Sequence, residues 1–182
     1  QLGNFIQEIK WNLNSYIIGY SMGGRIGLEL CDLGYFDFKR LILISTNMGL
    51  INNKDDRIKI ENNIIERLKK KKPIDFLKYW YSMKLFGNYD LYHQIISTRL
   101  KYFNKEKYIH YIRDWSVRNQ KNRKDQEIML YIYGELDTKY SLLTKELNKN
   151  ISKIEIKGAY HSILTNHSHE LFKIIRGAVR LN

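Results

Sequence analysis

The stretch "GYSMGGR" sets Ser21 between Gly19 and Gly23, the spacing of a G-x-S-x-G elbow in which a serine sits on a sharp turn from strand to helix. A serine hydroxyl does little chemistry unless a neighbouring group takes its proton. Two downstream residues have the types and the chain order to supply such a relay: Asp137 in "YGELDTKY" and His161 in "GAYHSIL". His161 would take the serine proton, and Asp137 would fix the imidazole tautomer and stabilise the imidazolium. The N–H of Met22, at the start of the following helix, can face a developing oxyanion. Each residue also has a plain structural reading: Ser21 in a glycine-rich bend, Asp137 as a turn acid, His161 as a surface histidine. Glu135 is the second candidate for the acid, closer to the strand. His161, His167 and His169 match no zinc spacing and no cysteine pair accompanies them, so no metal or cofactor is expected. "NHSHE" reads instead as a polar helix start capped by Ser168. His93 and His110 are given no chemistry.

The elements that must position these groups follow from hydrophobic patterning. "SYIIGY" (15–20), "RLILIST" (40–46), "EIMLYIYG" (127–134) and "ISKIEIKG" (151–158) are short apolar, β-branched runs suited to buried parallel strands. "GGRIGLEL", a segment near 139–149 and "ELFKIIRGAV" (170–179) carry helical spacing, as does "QLGNFIQEIKWNL" at the start of the chain. Strand–helix–strand order predicts an α/β fold with a mostly parallel sheet. Ser21, Asp137 and His161 then all fall in loops at the carboxyl ends of strands, where open α/β sheets gather their sites. Residues 53–119 lack strand patterning and show helical spacing in "IENNIIERLKK", "IDFLKYWYSMKLF" and "LYHQIISTRLKYF". The expected organisation is a core of 1–47 and 123–182 with a helical cap inserted at 48–122.

Composition narrows the field. The 182 residues suit one domain with an insertion, and 43% hydrophobic with 27% charged residues is globular composition. No apolar run approaches a membrane span. The lone Cys31 allows no internal disulfide, which suits a reducing compartment. The net charge of +12 is spread along the chain, and the densest run, "KKKK" at 69–72, reads as a solvated helix end stopped by Pro73. Nucleic acid is therefore not the expected partner, whereas a small anionic molecule is.

With these residues placed, the chain resembles the α/β-hydrolase superfamily. Within it the chain resembles the 2-succinyl-6-hydroxy-2,4-cyclohexadiene-1-carboxylate synthases of menaquinone and phylloquinone biosynthesis. "GYSMGGR", "LILISTNMGL" followed by "DDR", "FLKYWYSMKLF", "ISTRL", "GELDTKY" and "GAYHSIL" carry the likeness across nearly the whole chain. The resemblance implies a lyase without cofactor that eliminates pyruvate from a multiply carboxylated cyclohexene, the histidine-activated serine removing a proton rather than forming an acyl-enzyme. It implies that Arg25 and Arg99 bind substrate carboxylates and that Tyr20 and Trp80 line the pocket. A planar guanidinium suits carboxylates, and Arg25 lies one helical turn beyond Ser21. It also implies a plastid stroma, with a bacterial cytoplasm as the alternative.

The chain departs from the family pattern in places. Ile60 occupies a position where the family carries a substrate-binding arginine, so either Arg57 or Lys59 substitutes or carboxylate affinity is weakened. Leu164, Asn166 and Ser168 stand where a histidine, a glutamate and a proline are usual, and Asn47 and Met48 where small residues and proline are. The first strands, and a histidine–glycine loop giving a second oxyanion donor, are expected before residue 1, which would leave 15–20 as an uncovered edge and these 182 residues poorly active. Two other readings stand beside the synthase: an esterase or thioesterase with the same three residues, and a truncated inactive copy.

Overall fold

The computed structural model describes residues 15–49, 53–87 and 89–180. The helical expectation for the first thirteen residues lies outside them. Four strands, β1 (Ile17–Tyr20), β2 (Leu41–Ile44), β3 (Leu130–Gly134) and β4 (Ser152–Ile156), form one sheet in the order β1-β2-β3-β4. All three pairings are parallel, with Ile17 opposite Leu41, Ile42 opposite Leu130 and Ile132 opposite Ile154. The expected α/β architecture is present.

Alternation along the strands divides the core into two layers. Leu41, Leu43 and Tyr131 face one side with Leu28 and Cys31 of helix α1 (Met22–Asp32). Ile42, Ile44, Leu130 and Ile132 face the other with Ile156, Ile163 and Leu171. All four residues of β2 are buried, as a strand covered on both faces requires. β1 departs from the expectation of two-faced burial: Ile18 is 49% exposed, and among the described residues β1 is the edge strand, paired only with β2.

Between β2 and β3 the chain runs through α2 (Lys54–Lys70), α3 (Pro73–Tyr81), α4 (His93–Lys101) and α5 (Lys105–Asp114), with two short 3-10 turns between α3 and α4. Asn53 caps α2 by accepting from the N–H groups of Asp55 and Asp56, and Pro73 occupies the first turn of α3, where its missing N–H costs nothing. These helices build their own core from Leu77, Tyr81, Phe86, Tyr92 and Ile96.

After β3 comes α6 (Thr138–Leu143), shorter than the helix expected near 139–149; Thr144 ends it and turns its hydroxyl back to donate to the Ser141 carbonyl. The chain closes with α7 (Ile163–Asn166) and α8 (Ser168–Arg180). Ser168 is thus the first residue of the last helix rather than its preceding cap. Arg123 pins the return from α5 onto α1: its side chain is 3% exposed and donates to Asp32, Glu29 and the Lys121 carbonyl.

Candidate active site

Ser21 follows β1 directly and precedes α1, with φ of +51° and ψ of −112°. A serine in that region is strained by about 1–3 kcal/mol, which the surrounding packing must offset. Its N–H is tied to the Ile44 carbonyl at 2.9 Å, so the turn is anchored to β2. The steric demand of the elbow falls on Gly19 and Gly24 rather than on Gly23. A Cβ on Gly19 would lie 2.4 Å from the Gly24 Cα, and one on Gly24 would lie 2.0 Å from Thr46 Oγ1. At Gly23 it would meet nothing within 4 Å. Thr46 Oγ1 in turn lies within 3.4 Å of the carbonyls of Gly19, Ser21 and Ile44. Met22 begins α1, so its N–H has no partner inside the helix.

The structure joins the three residues singled out by type and order. Ser21 Oγ lies 3.0 Å from His161 Nε2, and His161 Nδ1 lies 2.8 Å from Asp137 Oδ2. In the neutral ring Nδ1–H donates to the carboxylate, leaving Nε2 to accept from the hydroxyl. Asp137 and His161 are 1% and 3% exposed, so neither is a surface residue. Asp137 Oδ1 is buried without a hydrogen-bond partner among the described residues. Glu135 is turned elsewhere: its Oε2 accepts from the N–H of Gly158 at 2.8 Å.

The imidazole is boxed by aromatic rings. Tyr140 stacks on it at 4.9 Å between centroids, Tyr20 lies at 5.3 Å, and Phe86 approaches edge-on at 6.0 Å. The His161 N–H donates to the Leu85 carbonyl, fastening the histidine loop to the segment after α3. Burial pushes the Tyr20 phenol well above its usual range, partly relieved by its hydrogen bond with Ser162. The box fixes the ring plane and limits water at the relay. Tyr140 and Phe86 went unselected from the sequence.

The expected binding residues divide. Tyr20 is at the site. Arg25 is half-buried one turn along α1, and its Nη1 donates to the Trp115 carbonyl. Burial lowers the basicity of its guanidinium; Tyr140 raises it, Arg57 lowers it and Glu61 raises it, so all three groups lie within electrostatic reach. Trp80 is one ring removed: it packs on Phe76 and on Phe86, the ring that touches His161. Arg99 stands apart. It is exposed, rests over the Tyr81 ring at 5.8 Å, and borders a cavity of about 340 Å³ with Gln94, Ile95 and Thr98. A cavity of about 500 Å³ opens on the Asp137 side of the relay, between Leu85, Lys139 and Tyr160.

Of the candidates to replace an arginine at 60, Ile60 is 52% exposed and the Lys59 ammonium is solvated beside Asp56. Arg57 is directed inward to the buried Glu61. Among the described residues, no group of three or more His, Cys, Asp or Glu is arranged to hold a metal, and no helix is long and apolar enough to cross a membrane.

The architecture matches solved structures across almost the whole chain. MenH from S. aureus superposes with a TM-score of 0.82 at 24% identity, over 98% of this chain and 73% of that one. An esterase (EaEST) from Exiguobacterium antarcticum gives 0.73 at 17% identity, over 98% and 71%. A bromoperoxidase from Bacillus anthracis gives 0.74 at 15% identity, over 98% and 71%. The fold is that of the α/β-hydrolases. No protein-family model matches the chain, and no curated protein matches it.

Proposed function

We propose that this α/β-hydrolase fold carries a lyase that eliminates pyruvate from a succinyl-enolpyruvyl-hydroxycyclohexene carboxylate, giving 2-succinyl-6-hydroxy-2,4-cyclohexadiene-1-carboxylate. The observation that carries the reading is the hydrogen-bonded Ser21–His161–Asp137 relay with the Arg25 guanidinium one turn along the same helix. Ser21 Oγ gives its proton to His161 Nε2 as it takes a proton from the ring carbon. The freed electron pair forms the new double bond, and the C–O bond to the enolpyruvyl group breaks. The departing enolate recovers a proton from His161 and leaves as pyruvate, so the relay ends as it began. Asp137 stabilises the transient imidazolium, the Met22 N–H supports the developing negative charge, and Arg25 holds a substrate carboxylate. No cofactor enters this scheme. Residues 48–122 act as the cap over the site, with Tyr20 and Trp80 on its apolar side. The likeness to MenH from S. aureus supports the reading.

The test is pyruvate release, assayed on the purified protein. Ser21→Ala and Arg25→Ala should each remove most of the release. A second reading, an esterase or thioesterase using the same three groups, is favoured by the likeness to the E. antarcticum esterase. It wins if neutral esters are cleaved, Arg25→Ala has little effect and no pyruvate appears. Failure of both assays on the folded protein supports the remaining reading, an inactive copy.

A further inference from the structure

Glu61 on α2 is 2% exposed and shares the buried face of that helix with the apolar Ile65 and Leu68. Burying a carboxylate is costly unless cations and donors meet it. Its Oε1 accepts from Arg57 Nε at 2.6 Å and from the Ser116 hydroxyl at 2.5 Å. Its Oε2 lies 3.1 Å from Arg118 Nε, close enough for an ion pair but without an aligned hydrogen bond. Arg25 lies within electrostatic reach of both Glu61 and Arg57, and it donates to the carbonyl of Trp115, next to Ser116. α2 and the turn after α5 therefore bring two guanidiniums onto one carboxylate, and the residue before Ser116 accepts from a third, Arg25 of α1.

That set carries two positive charges in excess. Arg57 and Arg118 leave 28% and 30% of the side chain exposed, and both meet Glu61 through Nε rather than through an Nη group. Guanidinium forks held at one edge by a buried acid and open at the other are arranged to receive a second carboxylate.

We propose that Arg118, with Arg57, binds a carboxylate of the acidic ligand beside Arg25, and that buried Glu61 is the positioning residue that aims both. The inference rests on the preceding reading only in taking the ligand to be acidic.

Citrate, a small tricarboxylate, serves as the probe, its binding measured by calorimetry on the full chain at low and high salt. Arg118→Gln should weaken citrate roughly 10- to 100-fold, the range for one lost charged hydrogen-bond partner. Arg118→Lys should recover only part of this, because an ammonium cannot present the fork. Lys59→Gln, changing a solvated ammonium, should leave affinity unchanged. Glu61→Gln and Arg118→Gln should be non-additive by at least threefold, since one acts through the other. Melting curves of each variant identify any that fail to fold. Citrate that does not bind the native chain, or binds a folded Arg118→Gln variant as well as the native one, overturns the proposal. Additive Glu61 and Arg118 effects overturn the positioning role. Citrate binding with these effects but no pyruvate release would retire the lyase and leave the anion site; pyruvate release insensitive to Arg118 would do the reverse.

Discussion

Adjacent glycines in the elbow should respond to the same substitution with opposite signs. In Gly24→Ala the new methyl carbon would stand 2.0 Å from Thr46 Oγ1, 2.7 Å from Cγ2 and 2.8 Å from Cβ. Ordinary contact begins near 3.4 Å, so Thr46 must retreat by roughly 1 Å or more from a fully buried position. It cannot do so freely, because its hydroxyl serves the carbonyls around Ser21 and its own carbonyl accepts from the Tyr131 hydroxyl at 2.6 Å. Overpacking of this kind costs about 1–3 kcal/mol and the displaced hydrogen bond about 1 more, giving about 3 kcal/mol in all. Gly23→Ala meets nothing within 4 Å inside the first turn of α1 and should gain about 0.5–1 kcal/mol from helix propensity and the stiffer unfolded chain. For a chain of this size each kcal/mol moves the midpoint by about 2–4 °C, so the two variants should melt roughly 8–16 °C apart. Thr46→Ala, which removes two of the three nearest atoms, should recover part of the Gly24→Ala loss. Equal melting temperatures, or a lower one for Gly23→Ala, would refute the packing argument and with it the account of how Ser21 is held.

Other outcomes follow from the same contacts. Asp137→Asn keeps the shape of the relay but offers an amide where Nδ1–H needs an anion, so turnover should fall by about 10⁴ with little change in melting temperature; a small kinetic effect would remove Asp137 from the relay. Burial, with help from Asp37 and Asp32, pushes the Cys31 thiol up to about 12, so thiolate is scarce at pH 8. Iodoacetamide should label the folded chain far more slowly than the unfolded one, and should speed up only as pH climbs toward 12 or the fold opens. Arg123→Ala should lower stability by about 2 kcal/mol in urea titration, because Glu29 and Asp32 lose a buried partner while keeping partial access to water. An unchanged midpoint would show that the clamp between α1 and the returning chain is incidental.

The sequence was most legible where the determinant is local. A strand needs only its own apolar run, and β2 and β3 appear within a few residues of their expected positions. The relay was legible too, since parallel strands send their following loops to one edge whatever the intervening helices do. Where a residue's setting depends on distant chain, the reading fell short. The elbow pattern draws attention to Gly23, yet the close approach belongs to Gly24, because the obstructing atoms come from Thr46 on the neighbouring strand's exit. Tyr140 and Phe86 look like ordinary core aromatics until the Leu85 carbonyl brings the segment after α3 onto the histidine loop.

Glu61 is the sharpest instance. On α2 alone, Arg57 and Glu61 form an i, i+4 pair of the kind that decorates solvated helices and contributes a few tenths of a kcal/mol. The hydroxyl of Ser116 and the guanidinium of Arg118, more than fifty positions later, make the difference. Once they close over it, removing the charge no longer erases a surface pair; it strands cations in a partly dry junction. The same two letters thus carry an energy set by residues that no local window contains. A scan of this chain for acid–base pairs would rank Lys70–Glu66, solvated on both sides, as the equal of Arg57–Glu61. Their substitutions should separate them: Glu66→Gln should leave stability and citrate affinity where they are, while Glu61→Gln should move both.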